Sequence, residues 1–166
     1  MTNIRSCDRT LAPQCVAANN ANMSKETWKK YQSMKTYRID GERFSTLGEF
    51  YEEINRVLIP NVRWGHNLDA LNDILRGGFG TPDEGFILIW ENSEESKRRL
   101  SYPEAARVLE QRLETCHSTN RRSVKRKLRD AQNNTGATVF DWLVEIIRIH
   151  GGGGAEAEDN VILKLQ

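Results

Sequence analysis

Asp69 and Asp73 stand one helical turn apart in "WGHNLDALNDILRGG", residues 64–78. On a helix this spacing puts both carboxylates on one face, where like charges repel and cost about a few tenths of a kcal/mol. Such a pair reads either as a solvated polar face or as an acidic docking face for a cationic site. With His66 at i, i+3 and i+7 the two aspartates also suggest a metal-dependent hydrolase. Three ligands from one helix, with no second His/Cys cluster, make a poor metal site, so neither a metal nor a cofactor is expected. Cys116 and His117 are neighbours in sequence, which does not give the geometry of a nucleophile and its base. His117 and His150 fall at helix ends, where a polar side chain commonly serves as a cap. "RGGFG" and "GGGG" lack the Gly-Lys-Ser/Thr ending of a phosphate loop and the spacing of a dinucleotide loop, and read as hinges.

A second charged stretch is "RRSVKRKLRD", residues 121–130. Arg121, Arg122, Lys125, Arg126 and Lys127 suit contacts with phosphates. No aromatic residue is interleaved for base stacking. The favoured reading is a solvated face whose cations cover apolar neighbours and pair with acidic patches, and direct nucleic-acid binding is not favoured. An RNA-binding or regulatory module on this helix remains the alternative function.

These residues need elements to hold them. "KTYRID", residues 35–40, alternates Tyr37 and Ile39 with polar residues and predicts a strand. "STLGEFYEEINRVLIP" predicts an amphipathic helix, capped by Ser45 or Thr46 and ended by Pro60, with Leu47, Phe50, Ile54, Val57 and Leu58 inward. In the acidic helix Asn67 is the expected N-cap and Gly77 the left-handed residue past its end. Leu68, Leu71, Ile74 and Leu75 face the core; Asp69, Asn72, Asp73 and Arg76 face out. "GFILIWE", residues 85–91, is an unbroken apolar run that suits a central strand covered on both faces. Three helices follow, in "SYPEAARVLEQRLETCH", "NRRSVKRKLRDAQ" and "ATVFDWLVEIIRIHGGGG", and then a last strand, "DNVILKL", at 159–165. In the third of these helices Val139, Leu143, Ile146 and Ile147 form the core stripe. Strands separated by helices predict an α/β fold with a parallel sheet and right-handed crossovers.

Composition sets the frame. A chain of 166 residues suits one domain, and 28% charged against 38% hydrophobic residues suits an extensive polar surface. No apolar run approaches the roughly 20 residues needed to span a bilayer. Residues 1–34 read as a polar leader without a signal-peptide core, in which Met23 is an alternative start. Three irregularly spaced cysteines, Cys7, Cys15 and Cys116, give no disulfide framework. A reducing, cytoplasmic setting is expected. The net charge of +1 conceals an asymmetry: residues 40–96 carry twelve acids and four arginines, while residues 97–129 carry eleven cations and three glutamates.

"WGHNLDALNDIL" resembles the helix signature of the barstar family, in which Y-G-x-N-L-D-A-L-x-D is the usual pattern. "YRIDGERF", "STLGEFYEEINRVLIP", "GFILIWENSEESK" and "DNVILKL" resemble its first strand, first helix, middle strand and last strand. The resemblance covers roughly residues 35–99 and 136–166, with the basic segment at about 100–135 as an insertion. It implies a three-stranded parallel sheet packed with helices, plus an extra helical part, in one domain over 35–166. It also implies a non-enzymatic immunity or antitoxin protein that binds a cytotoxic microbial ribonuclease, barnase-like or another nuclease toxin, and blocks its active site. In that role the carboxylate of Asp73 enters the site where RNA phosphate would lie. Asp69 is a second acidic contact, and Asn67 and Gly77 lie at the same surface. The family often places aromatics just before, inside and just after the motif; here those positions are Arg63, Asn72 and Gly78. Trp64 keeps an aromatic beside Gly65, and Arg63 and Arg76 dilute the negative face. Glu145 lies near the family's acidic contact on the last long helix, with its register left open.

Overall fold

Residue order along the sheet places the most apolar strand in the middle. The computed structural model describes residues 32–166, so most of the expected leader, with Cys7, Cys15 and Met23, lies outside the described residues. Strand β1 (Lys35–Asp40) pairs in parallel with β2 (Phe86–Glu91), Lys35 opposite Phe86 and Asp40 opposite Glu91. Strand β3 (Ile162–Leu165) pairs in parallel with the other edge of β2, Ile87 opposite Ile162. The order β1-β2-β3 is the expected parallel sheet. Phe86 to Trp90 are all buried, as two-sided coverage of an apolar central strand requires.

Between β1 and β2 run α1 (Leu47–Leu58) and the acidic helix α2 (Leu68–Leu75). Thr46 caps α1 in a reciprocal capping box with Glu49. Between β2 and β3 run α3 (Ser93–Arg99), α4 (Tyr102–Thr115), α5 (Arg121–Gln132) and α6 (Val139–Ile149). The sequence pattern does not predict α3, because "SEESKRR" has no apolar period. Its helix is held instead by Glu95, which takes Arg98 and Arg99 one turn on, and by Ser93 and Ser96, which are buried. Strand β3 is shorter than expected because residues 157–159 turn as a 3-10 helix first. Among the described residues, no helix is long and apolar enough to cross a membrane.

An aromatic cluster fills the centre. Trp90 is fully buried against Phe50 and Phe140, ring centroids 5.4 and 5.1 Å away, and its Nε1 donates to Ser96 Oγ at 2.8 Å. That bond satisfies the one polar atom such a large apolar side chain carries inward. The helices expected as an insertion share this core through Leu100, Ala105, Leu109, Val124 and Ala131. Glu104 of α4, itself buried, accepts from the backbone N–H of Leu47 at 2.7 Å and so satisfies an open donor at the start of α1.

Glu53 on α1 ties the ends of three segments together. Its carboxylate accepts from Arg56 at 2.6 and 2.8 Å, from Arg43 at 3.2 Å and from the Asp40 N–H at 3.4 Å. Burial pushes the carboxyl up, but these donors together outweigh burial and hold it below the usual range. A lowered folded-state pKa adds stability above the unfolded pKa of about 4.3 and loses it as pH falls through the folded value. Glu53→Gln is therefore expected to cost roughly 1–2 kcal/mol at neutral pH. The variant is also expected to flatten the loss of stability below about pH 4.5. Urea melts at stepped pH check this; parallel pH profiles for variant and parent would contradict it.

Candidate functional site

An eight-residue helix is marginal on its own, so α2 depends on what holds its ends and its inner face. Asn67 Oδ1 accepts from the Ala70 N–H at 2.8 Å, and its Nδ2 donates to the Gly65 carbonyl at 3.1 Å. Past the C-terminal end, Gly77 takes φ 98, a left-handed turn that favours glycine, and a Cβ there would come within 3.0 Å of Asp83. Thr81 donates its hydroxyl to the Ile74 carbonyl at 2.7 Å, closing the last turn from outside. Leu71, Ile74 and Leu75 are buried and Leu68 is half-buried.

The outer face is acidic. Asp69 and Asp73 are both exposed. Asp69 holds no cation among the described residues, and the positive end of the helix favours it in the first turn. Asp73 has Arg76 at 3.6 Å, but Arg76 gives its guanidinium to Glu156, at 2.6 and 2.9 Å. Hydrogen bonding to Glu156 raises the Arg76 pKa, and Arg76 in turn holds the Glu156 carboxyl low. The dilution of the face that Arg76 threatens is thus offset by a glutamate from the loop before β3. Arg63 and Gly65 are exposed. Trp64 is half-buried: its ring packs edge-on against Tyr51 at 5.2 Å, and its Nε1 is buried without a partner. Tyr51 beneath it is driven to a higher pKa by burial and then by the charge of Asp69.

Asn72, counted on the outer face by periodicity, is half-buried, and its Oδ1 lies 3.0 Å from Nε2 of His150. His150 is the C-cap residue of α6, as its position suggests, but its side chain is fully buried and not a simple end cap. Its Nδ1 is 2.6 Å from Asp159 Oδ2 and 3.3 Å from Glu156. One imidazole thus links α2, α6 and the loop before β3. Nothing in the local sequence marks this, because Asn72 lies 78 residues from His150. The helical spacing does not single out Phe79 either. It is 55% exposed, just beyond Gly78. Its signal is a lone aromatic in the glycine-rich "RGGFGT".

His66 does not join Asp69 and Asp73. It precedes the N-cap with φ 42, packs on Trp64 at 4.8 Å, and points Nδ1 to Glu52 at 3.5 Å. The proposed ligands therefore do not share a helix face. Among the described residues, the grouping close enough to surround an ion is His150, Glu156 and Asp159, and hydrogen bonds and the Arg76 cation already fill it. Cys116 is half-buried near the Leu113 carbonyl, whereas His117 pairs with Thr119.

Helix α4 borders the start of the acidic helix. His66, Asn67 and Asp69 line an open cleft of about 640 Å³ together with Arg107 and Arg112. Beyond it, Arg121, Arg122, Lys125, Arg126 and Lys127 of α5 are all exposed, and among the described residues none has a carboxylate at ion-pair distance. The expected pairing with acidic patches does not occur among the described residues, although Asp130 lies on the same helix.

Sheet, caps and outer face together define a class: small α/β proteins that present an acidic helix held rigid at both ends. A family model described as Barstar (barnase inhibitor) matches residues 34–140. The chain belongs to the barstar family. The match includes both helices of the basic segment and ends at the start of α6, although β3 completes the sheet beyond it. No curated protein matches the chain.

Proposed function

We propose that this protein is an immunity-type inhibitor that binds a cytotoxic microbial ribonuclease and covers its active site with the outer face of α2. The observation that carries this reading is the exposed Asp69/Asp73 pair on a helix fixed at both ends, where Asp69 has no ion-pair partner among the described residues and Asp73 meets only Arg76, at 3.6 Å, which it shares with Glu156. In this reading Asp73 enters the cationic pocket meant for RNA phosphate, and Asp69 makes a second contact. Carboxylates buried among several cations form charge-assisted hydrogen bonds, and opposite charge speeds encounter. Asn67 and Gly77 shape the helix ends at this surface, and Gly65 leaves the approach open.

Phe79 supplies an aromatic contact that Arg63, Asn72 and Gly78 do not. Arg76 stays neutralised by Glu156. The protein acts by occlusion, without catalysing a reaction, in the cytoplasm of the cell that makes the nuclease. The test is titration of a barnase-type ribonuclease, and of any nuclease encoded in the adjacent reading frame, with the full chain. Stoichiometric inhibition that weakens with salt is expected. Full inhibition by the Asp69→Ala/Asp73→Ala variant would remove the site from this reading.

A further inference from the structure

Two helices of opposite charge border one cleft. Leu68 of α2, Arg112 of α4, and Ser123 and Lys127 of α5 line this cleft of about 290 Å³. On the α2 bank Asp69 and Asp73 are exposed, and Asp83, exposed beside Gly77, continues the acidic surface. On the other bank Arg112 and Lys127 are exposed, as are Arg122 and Arg126 further round α5. None of these four cations has a carboxylate at ion-pair distance among the described residues. Elsewhere Arg38 holds Glu91, Arg43 and Arg56 hold Glu53, and Arg98 and Arg99 hold Glu95. Within one molecule the two banks form no ion pair with each other among the described residues, although only the cleft separates them.

A second copy of the chain carries what each bank lacks. Arg122 and Arg126 stand four residues apart on α5, as Asp69 and Asp73 do on α2, so both pairs repeat at about 6 Å along a helix axis. Each pair repels itself, and the opposite pair relieves that repulsion. A two-fold axis lying along the cleft turns a second molecule over. Its basic bank then meets the acidic bank of the first, and its acidic bank meets the basic one. Such a contact is isologous and closes as a dimer. The overall charge does not oppose it. The chain carries only +1 in total, with an excess of eight acids over residues 40–96 and of eight cations over residues 97–129. Net charge keeps proteins apart only when it lies far from zero. Exposed ion pairs each contribute little, so the contact is of the weak, transient kind.

We propose that this protein forms a weak, salt-sensitive two-fold dimer in which the Asp69/Asp73 face of one copy lies on the Arg122/Arg126/Lys127 face of the other, and the reverse. In this dimer the acidic helix is covered, so a second copy competes with any cationic partner for it. The dimer rests on the open charge of both banks and on no nuclease, so it and the inhibitor reading fail independently. Sedimentation velocity of the full chain is expected to show dimer in about 0.1 M salt and monomer in about 1 M salt, because the screening length falls from about 10 to about 3 Å over that range. Asp69→Lys/Asp73→Lys reverses one bank, and Arg122→Glu/Arg126→Glu/Lys127→Glu reverses the other. Each variant then meets itself with like charge and is expected to stay monomeric alone. Mixed in equal amounts, the two present opposite charges at both contacts and are expected to dimerise again. The milder Asp69→Asn/Asp73→Asn change is expected to weaken the parent dimer at least about tenfold, since it removes ion pairs from both contacts. A parent that stays monomeric at the lower salt would overturn the proposal and leave each bank to a foreign partner. So would a reversed variant that dimerises alone as the parent does, or two variants, both folded by circular dichroism, that stay monomeric together. Particles that keep growing beyond the dimer with concentration would overturn the two-fold arrangement in favour of a head-to-tail chain.

Discussion

Asp73→Ala is expected to weaken binding of the ribonuclease by at least about a hundredfold while leaving the melting temperature unchanged or slightly raised. The free protein spends nothing to hold this carboxylate. It is 56% exposed, its nearest cation is 3.6 Å away, and that cation belongs to Glu156. Removing it also relieves repulsion from Asp69. In the complex the same carboxylate is desolvated among cations, and deleting one side of a buried charge pair costs about 3 kcal/mol or more, which is the hundredfold stated. Asp69→Ala is expected to lose less affinity and to cost the helix a few tenths of a kcal/mol, since Asp69 sits in the first turn where the dipole rewards a negative charge. The two sites are one turn apart, so the double variant is expected to depart from additivity. Calorimetric titration with thermal melts on the same samples reads both quantities. An Asp73→Ala protein that binds as tightly as the parent, or that melts well below it, would place the acidic pair in the scaffold instead of the interface.

Periodicity made the frame of this protein legible. The alternation in "KTYRID" marks β1 at its observed limits, and the unbroken run of β2 announces a strand covered on both sides. Asn67 and Gly77 mark the ends of α2, because caps and left-handed turns depend on single residues whose chemistry is local. The polar connections were not legible. Glu104 closes the start of α1 from 57 residues away, and His150 reaches Asn72 from 78 residues away. Such bonds join residues that share no period and no neighbourhood, and a buried polar partner leaves the same letter in the sequence as a solvated one. Asn72 shows the consequence. Helical spacing puts it beside Asp73 on the outer face, yet its side chain turns to a buried imidazole. Helix α3 escaped for a related reason: its turns are held by ion pairs and buried serines, which leave no apolar stripe to read.

His150→Ala is expected to show the reverse behaviour, a large loss of stability with a small loss of binding. The ring is fully buried, and its two nitrogens meet Asp159 at 2.6 Å and Asn72 at 3.0 Å. Truncation removes packing from the end of α6 and leaves the Asp159 carboxylate, 15% exposed, without its main partner. Leaving buried hydrogen-bonding groups without their partner costs about 1–3 kcal/mol, to which an unfilled cavity adds. In urea the midpoint should fall with the slope unchanged, since the same surface is exposed on unfolding. The ends of α2 stay fixed by Asn67 and Thr81, and Arg76 keeps Glu156. For the fraction that is folded, nuclease affinity is therefore expected to fall by less than about tenfold, the effect of one lost hydrogen bond behind the helix. Asp73→Ala and His150→Ala together separate the surface that meets the partner from the buried link that carries it. A His150→Ala protein with an unchanged urea midpoint would deny the link. One that stays folded but loses binding as severely as Asp73→Ala would make the buried imidazole, and not the helix caps, the element that sets the geometry of the acidic face.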